Sequence, residues 1–277
     1  MLSDIGSIRH PALEKEPVDG RRGRGMKADT VERFSNRVEN YIKYRPAYPS
    51  EVLDLFKNEL GLTVDSGVAD IGSGTGISAK LFLENGNTVY GVEPNDGMRA
   101  AAEQYLAGFP SFRSLKGTAD DTGLPNKSVD FVIAAQAFHW FEPEPTRNEF
   151  QRVLKPGGYT ALIWNERQLD TTPFLIEYEQ FLLRYANDYT LVRHENVNEE
   201  TLSGFFEKPF ERKTFDNVQI LDFDGLKGRV LSSSYMPAES DERFQRMVEE
   251  LRTLFAKYAE NDRIKIFYNT RVYYTKL

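Results

Sequence analysis

The sequence predicts an α/β domain built on a doubly wound, mostly parallel sheet, and three observations carry that expectation. Between Gly67 and Trp164, short apolar strands alternate with amphipathic helices at the spacing of successive β–α units. The first of those strands, Gly67 to Ile71, is apolar on nearly every residue, the pattern of a parallel strand covered on both faces, and it runs into Gly72-Ser73-Gly74-Thr75-Gly76. The stretch Ile264 to Leu277 alternates apolar and polar residues, which predicts a closing strand antiparallel to its neighbours.

Residues 1–27 carry Pro11, Pro17, Gly20, Gly23, Gly25 and the cluster Arg21-Arg22-Gly23-Arg24 with little apolar periodicity, and are expected to form a flexible extension. The domain then occupies 28–277. Val31, Phe34, Val38, Tyr41 and Ile42 recur at three to four residues and predict a helix from Asp29 to Tyr44, stopped by Arg45-Pro46-Ala47-Tyr48-Pro49. Ser50 is placed to cap a second helix whose Val52, Leu53, Phe56 and Leu60 share a face. After strand one, helices are expected from Ile77, over Asp96 to Leu106 and over Glu144 to Val153. Strands are expected at Thr88 to Glu93, Phe112 to Leu115, Val129 to Ala134 and Tyr159 to Trp164, the last delivered by the turn Pro156-Gly157-Gly158. Beyond Trp164 the rhythm changes. Helices are expected over Phe174–Tyr185, Leu202–Phe206, Phe223–Leu231 and Asp241–Tyr258, with a strand from Arg212 to Leu221. Segments 28–60 and 168–260 are therefore expected to supply lid and substrate-site helices to the one domain.

Composition narrows the function classes. A net charge of −7 and a pI near 5.2 argue against nucleic acid as the main partner, since phosphate binding needs a concentrated basic surface. The chain has no cysteine, so disulfides, thiol nucleophiles and cysteine–zinc sites are excluded, and no metal site is expected. No apolar run has bilayer length and the first residues lack the apolar core of a secretory signal, so a cytoplasmic location without a membrane partner is expected.

In an open α/β sheet, ligands bind beyond the carboxyl ends of the strands, where strand order reverses. There the glycine loop presents its backbone and the N–H groups of the next helix. Strand two ends at Glu93, 21 residues after Gly72, where a carboxylate accepts hydrogen bonds from both hydroxyls of a ribose. A dinucleotide is the least expected ligand. The third glycine comes one residue early, at Gly76, and Ile77 stands where the dinucleotide pattern needs glycine. Asp70 would repel a pyrophosphate but favours a cation such as an α-amino group or a sulfonium. No Gly-Lys-Ser or Gly-Lys-Thr follows the loop, so phosphate-loop chemistry fails too. The residues prefer a ligand with an adenosine end and a zwitterionic end.

Val68 to Gly76, Glu93, Gly117-Thr118-Ala119-Asp120 and Leu154-Lys155-Pro156-Gly157-Gly158 are similar, in order and spacing, to the successive motifs of class I S-adenosylmethionine-dependent methyltransferases. Tyr44-Arg45-Pro46-Ala47-Tyr48-Pro49 and Ala135-Gln136-Ala137-Phe138-His139-Trp140-Phe141 resemble a type 11 subset that includes trans-aconitate methyltransferase-like proteins, with weaker likeness at Ser234-Tyr235 and Thr270-Arg271-Val272-Tyr273. The resemblance implies a three-layer Rossmann-like methyltransferase fold with a seven-stranded sheet, an antiparallel last strand and helical lid insertions. It implies S-adenosyl-L-methionine as cofactor and S-adenosyl-L-homocysteine as product. Asp70 and the backbone at Gly72 and Gly74 would hold the methionine part, Glu93 the ribose, Ala119 and Asp120 the adenine, Gln136 would lie close to the sulfur and methyl, and Ser73, Gly76 and Pro94 would complete the cofactor site. Thr118 stands where an acidic residue is often seen, which leaves the adenine contact to Asp120 or Asp121.

The activity expected is methyl transfer to a small-molecule acceptor, a carboxylate or hydroxyl oxygen, by in-line displacement. A carboxylate needs a cationic anchor, for which Arg45, Arg167 and Arg229 are candidates. A hydroxyl or amine needs a base, for which His139 is the candidate, and Trp164 is expected as a pocket wall. The alternatives are a protein or RNA methyltransferase, or a non-catalytic nucleoside-binding protein of the same fold. The chain is expected to be a monomer or a weak homodimer.

Overall fold

The computed structural model describes residues 42–187, 199–233 and 235–277. The expected extension over 1–27 and most of the helix expected from Asp29 lie outside these residues, as does Ser234; residues 42–44 are helical. Seven strands form one sheet: β1 (Gly67–Ile71), β2 (Thr88–Val92), β3 (Phe112–Leu115), β4 (Val129–Ala135), β5 (Leu154–Arg167), β6 (Glu211–Leu221) and β7 (Ile264–Lys276). Their order is β3-β2-β1-β4-β5-β7-β6. The first five run parallel, β7 lies antiparallel to β5, and β6 lies antiparallel to β7. Strand order therefore reverses between β1 and β4, whose carboxyl ends lie side by side, with Asp70 paired to Ile133.

The central strands are buried because helices cover both faces. Four of the five β1 residues and six of the seven in β4 are buried. On one face α1 (Ser50–Asn58) and α2 (Ile77–Glu84) pack with Val68, Ile133, Ile163 and Val272. Phe56 of α1 meets Phe82 of α2 edge to face at 5.0 Å, both fully buried, and each such burial contributes about 2–3 kcal/mol. On the other face α4 (Pro143–Val153) and α6 (Glu199–Phe206) pack with Ile71, Val132, Leu162 and Trp164. Between β2 and β3 runs α3 (Asp96–Tyr105), capped by the Asn95 side chain, which accepts the Met98 N–H. A third core gathers α5 (Pro173–Tyr185), α7 (Phe223–Leu231) and α8 (Phe244–Tyr258) against Leu221, Ile264, Ile266 and Tyr268 at the far end of the sheet.

Three boundaries differ from expectation. Ser50 does not cap α1. It is the first helical residue, its hydroxyl donates to Glu51, and Pro49 in extended conformation holds the cap position. Helix α8 starts at Phe244, not Asp241, because the Asp241 carboxylate takes the Arg243 N–H and guanidinium at 2.7–2.9 Å and fixes the preceding turn. Strand β5 is longer than predicted because Pro156-Gly157-Gly158 is absorbed as an irregularity: Val129 pairs with Leu154 but Phe131 with Tyr159, while Gly157 takes φ +82°.

Candidate active site

At the end of β1 the chain turns through the glycine loop with Gly72 and Ser73 N–H both bonded to the Val92 carbonyl, at 2.9 and 3.2 Å, which draws the loop over the end of β2. Gly76, the residue before α2, has φ +85°, and a Cβ there would come within 2.6 Å of Leu106, so only glycine fits. Gly74 has φ +55° but nothing within 4 Å of where a Cβ would point, so this part of the loop faces open space.

Two carboxylates flank that opening. Asp70 is completely buried; its Oδ2 accepts the Ser78 hydroxyl at 2.6 Å, and its Oδ1 has no hydrogen-bond partner. Burial pushes its pKa up to about 7, with the nearby Glu93 charge adding in the same direction. Glu93, 8% exposed, accepts Gly74 N–H at 2.9 Å on Oε2 and Asn95 N–H at 2.9 Å on Oε1. Burial raises its pKa as well, against those two N–H bonds. Beside it the Thr75 hydroxyl is buried without a partner. A buried carboxylate oxygen and a buried hydroxyl left unsatisfied each carry a desolvation cost that a ligand can relieve. Two acidic groups around a bare glycine loop fit a ligand with a cationic amino-acid end and a ribose, which is what S-adenosylmethionine offers.

The loop expected to hold adenine closes on itself through Thr118 N–H and the Asp121 carbonyl at 2.9 Å, with Ala119 buried and Asp120 and Asp121 exposed. An unforeseen residue anchors it. Glu149 of α4 accepts the Thr122 N–H and hydroxyl at 2.8 and 2.5 Å and is held in turn by Arg152 at 2.7 Å. Desolvation opposes its charge, but the Arg152 and Thr122 bonds outweigh it and leave its pKa lowered.

Gln136 ends β4 with φ +55°, an uncommon conformation for a residue with a side chain. Its N–H is bonded to the Ile163 carbonyl at 2.8 Å and its side-chain amide donates to the Asn165 carbonyl at 3.0 Å. Asn165, a buried polar residue the sequence did not single out, is a junction. Its Oδ1 accepts from Thr270 at 2.5 Å and Asn217 at 3.1 Å, and its Nδ2 donates to the Ala47 carbonyl at 3.2 Å. Asn217 also donates to the Ala47 carbonyl at 2.8 Å, and Gln219 donates to the Tyr44 carbonyl at 2.8 Å. Residues 44–47 are thereby fastened across β5 and β6.

The remaining predicted side chains fall in different places. Arg45 donates to the Ser232 carbonyl at 3.2 Å at the end of α7. Arg167 is ion-paired with Glu179 of α5, with its guanidinium carbon 5.2 Å from the Tyr178 ring centroid. Trp164 is 2% exposed on the α4 and α6 face, edge to face with Phe138 and Tyr273 at 6.3 and 5.8 Å, so it belongs to the core on that side. His139 sits in the short 3₁₀ turn Phe138–Trp140 directly after β4, half-buried and 4.7 Å from the Trp140 ring.

The reversal point, the glycine loop and the acidic residue ending β2 define a nucleoside-cofactor enzyme of the doubly wound class. Residues 69–162 match the family described as methyltransferase domain. A methyltransferase-like protein of Schizosaccharomyces pombe is 27% identical over 87% of this chain and 93% of its own length. A methyltransferase of Mycobacterium tuberculosis is 38% identical over 48% of this chain and 52% of its own. Among solved structures, a proposed type II methyltransferase from Anaeromyxobacter dehalogenans shares the fold with TM-score 0.64, 20% identity and 84% of this chain covered against 98% of that one. A proposed methyltransferase from an antibiotic biosynthesis pathway of Anabaena variabilis has TM-score 0.57 and 26% identity, over 86% of this chain and all of that one. The chain thus carries a methyltransferase domain and over most of its length resembles S-adenosylmethionine-dependent methyltransferases. Among the described residues, no helix is long and apolar enough to cross a membrane.

Proposed function

We propose that the enzyme transfers the methyl group to a small-molecule acceptor, at a carboxylate or hydroxyl oxygen, in a site closed from above. The observation that carries this reading is the fastening of residues 44–47 over the ends of β5 and β6 by the side-chain amides of Asn165, Asn217 and Gln219. With α5 and α7 packed against β7 beyond the same strand ends, the acceptor side is roofed by the chain itself. A roofed site suits a small molecule better than a polymer, and the −7 charge disfavours RNA. The Anabaena structure's biosynthetic pathway points the same way.

S-adenosylmethionine supplies a methyl group already activated by its positive sulfur. The protein's task is then to position the acceptor oxygen and exclude water. Asp70, Glu93, Gly74 and the loop around Ala119 would hold the cofactor, and Gln136, fixed by the Asn165 carbonyl, borders the acceptor side. A hydroxyl acceptor would give its proton to His139, whereas a carboxylate needs no base.

The test incubates the protein with methyl-labelled S-adenosylmethionine and a whole-cell extract separated by size. The reading expects label in the low-mass fraction, identified by mass spectrometry. Label confined to protein or RNA would overturn it, and so would no transfer to any fraction.

A further inference from the structure

The sheet ends at β6, whose only strand partner among the described residues is β7. The two strands pair in one unbroken register, so no bulge twists the edge away, and Glu211–Leu221 contains neither proline nor glycine. Among the described residues no backbone hydrogen bond reaches β6 from outside the sheet. One row of its N–H and C=O groups is therefore open along the whole strand.

The side chains of β6 divide between two faces. Lys213, Phe215, Asn217 and Gln219 are half-buried and engaged: Lys213 pairs with Glu59 at 2.9 Å, Phe215 packs on the α1 core, and Asn217 and Gln219 donate to the Ala47 and Tyr44 carbonyls. Arg212, Thr214, Asp216, Val218 and Ile220 lie on the opposite face and are exposed, Val218 by 47% and Ile220 by 56%. Neither Arg212 nor Asp216 has an ion pair among the described residues.

An edge guarded against pairing carries charges of one sign, which repel when two copies meet. Here the outward charges are one arginine and one aspartate. A two-fold axis through Thr214 sets Arg212 opposite Asp216 of a second copy, and Asp216 opposite that copy's Arg212. Thr214 then faces its own counterpart at the centre, and Val218 comes to lie beside Phe210. Moving the axis to Arg212 or to Asp216 sets like charges face to face instead.

We propose that β6 is a self-association surface, pairing antiparallel with β6 of a second copy around Thr214 so that the two sheets continue into one. The backbone ladder and the covering of Val218 supply the attraction. Exposed ion pairs contribute little, so the two Arg212–Asp216 contacts chiefly fix the register. Strand β1 lies four strands from β6, roughly 19 Å at the usual interstrand spacing, so both glycine loops stay clear of the contact.

Sedimentation velocity on the full chain over a dilution series tests for the dimer, and in a chain without cysteine one introduced thiol reports the register. The parent is expected to pass reversibly from dimer to monomer on dilution. Directly opposed residues of an antiparallel pair stand about 4.5–5.5 Å apart at Cα, within disulfide reach. Thr214→Cys should therefore form a covalent dimer under mild oxidation, and Val218→Cys, which faces Phe210, should not. Arg212→Asp and Asp216→Arg should each raise the dimer Kd about tenfold or more, and the two together should return it to within about threefold of the parent. A parental Tm in each variant shows that it is folded. A parent that stays monomeric at every concentration, which leaves the edge to the strand of another protein, overturns the proposal. So does a dimer in which Thr214→Cys fails to cross-link, or one in which the two charge changes do not compensate each other.

Discussion

The ring of Tyr44 lies against Gly228 of α7, so closely that a Cβ on Gly228 would come within 2.1 Å of it. That contact seats the strap on the helix carrying Arg229, and only a residue without a side chain permits it. Gly228→Ala must push the strap off α7. We expect a loss of about 1–3 kcal/mol in denaturant unfolding, the usual cost of overpacking, and faster proteolysis near residues 44–49. Cofactor affinity should stay within twofold, because the glycine loop lies elsewhere on the sheet. Unchanged proteolysis would show that Tyr44 does not hold the strap.

Asn165 joins groups from four segments, so replacing its side chain removes several of those links at once. Asn165→Leu orphans the Thr270 hydroxyl, one bond of Asn217 and one of the Ala47 carbonyl. A buried orphan such as the Thr270 hydroxyl costs about 1–3 kcal/mol, while Asn217 and the Ala47 carbonyl keep their bond to each other, and we expect a clear drop in Tm with a larger loss in kcat than in cofactor affinity. Asn165→Asp should be as harmful, since a carboxylate cannot donate to Ala47. A variant with parental Tm and kcat would remove Asn165 from the account.

The Asp70 carboxyl gives the free enzyme a pH signature. Its folded pKa is about 7, raised from the unfolded value near 3.8, so the folded state holds the proton more tightly. Its contribution to stability is full below pH 4 and is lost as pH rises towards 7. Glu93, also raised, acts in the same direction. A bound cation favours the ionised form, so stabilisation by S-adenosylmethionine should grow with pH from about 5 to 8. Thermal shift with and without cofactor across that range checks this, and Asp70→Asn should flatten the dependence. A cofactor shift that falls with pH in the parent enzyme would contradict it.

Much of the fold was legible because local chemistry and tertiary environment agreed there. The apolar runs at Val68 to Ile71 and Val129 to Ala134, each interrupted by one aspartate, have the composition of strands covered on both faces, and the alternation in Ile264 to Tyr274 marks a sheet packed more heavily on one side. The cofactor end of the site was readable for the same reason: Asp70, the glycines and Glu93 lie within a single β–α–β unit, where sequence distance fixes spatial distance. The side proposed to take the acceptor was not. Asn165, Asn217, Gln219 and Thr270 meet only because β6 and β7 return beside β5, and nothing in their local sequence announces a shared network. The arginines show the same limit. Arg45, Arg167 and Arg229 look alike as residues, and only the fold gives Arg167 the Glu179 carboxylate, Arg45 the Ser232 carbonyl and Arg229 the hydroxyls of Ser233 and Tyr268.

The central claim is that the glycine loop and Glu93 bind S-adenosylmethionine. It is tested most directly by calorimetric titration of the cofactor into the parent enzyme and into Glu93→Gln and Glu93→Ala. The account predicts one-site binding in the parent. Both substitutions should weaken it at least about tenfold, since hydrogen bonds to a charged group contribute about 1.5–3 kcal/mol. Glu93→Gln should be the milder, because its amide oxygen can still accept the Gly74 N–H. Absence of binding in the parent, or undiminished affinity in a folded Glu93→Ala, would contradict the account.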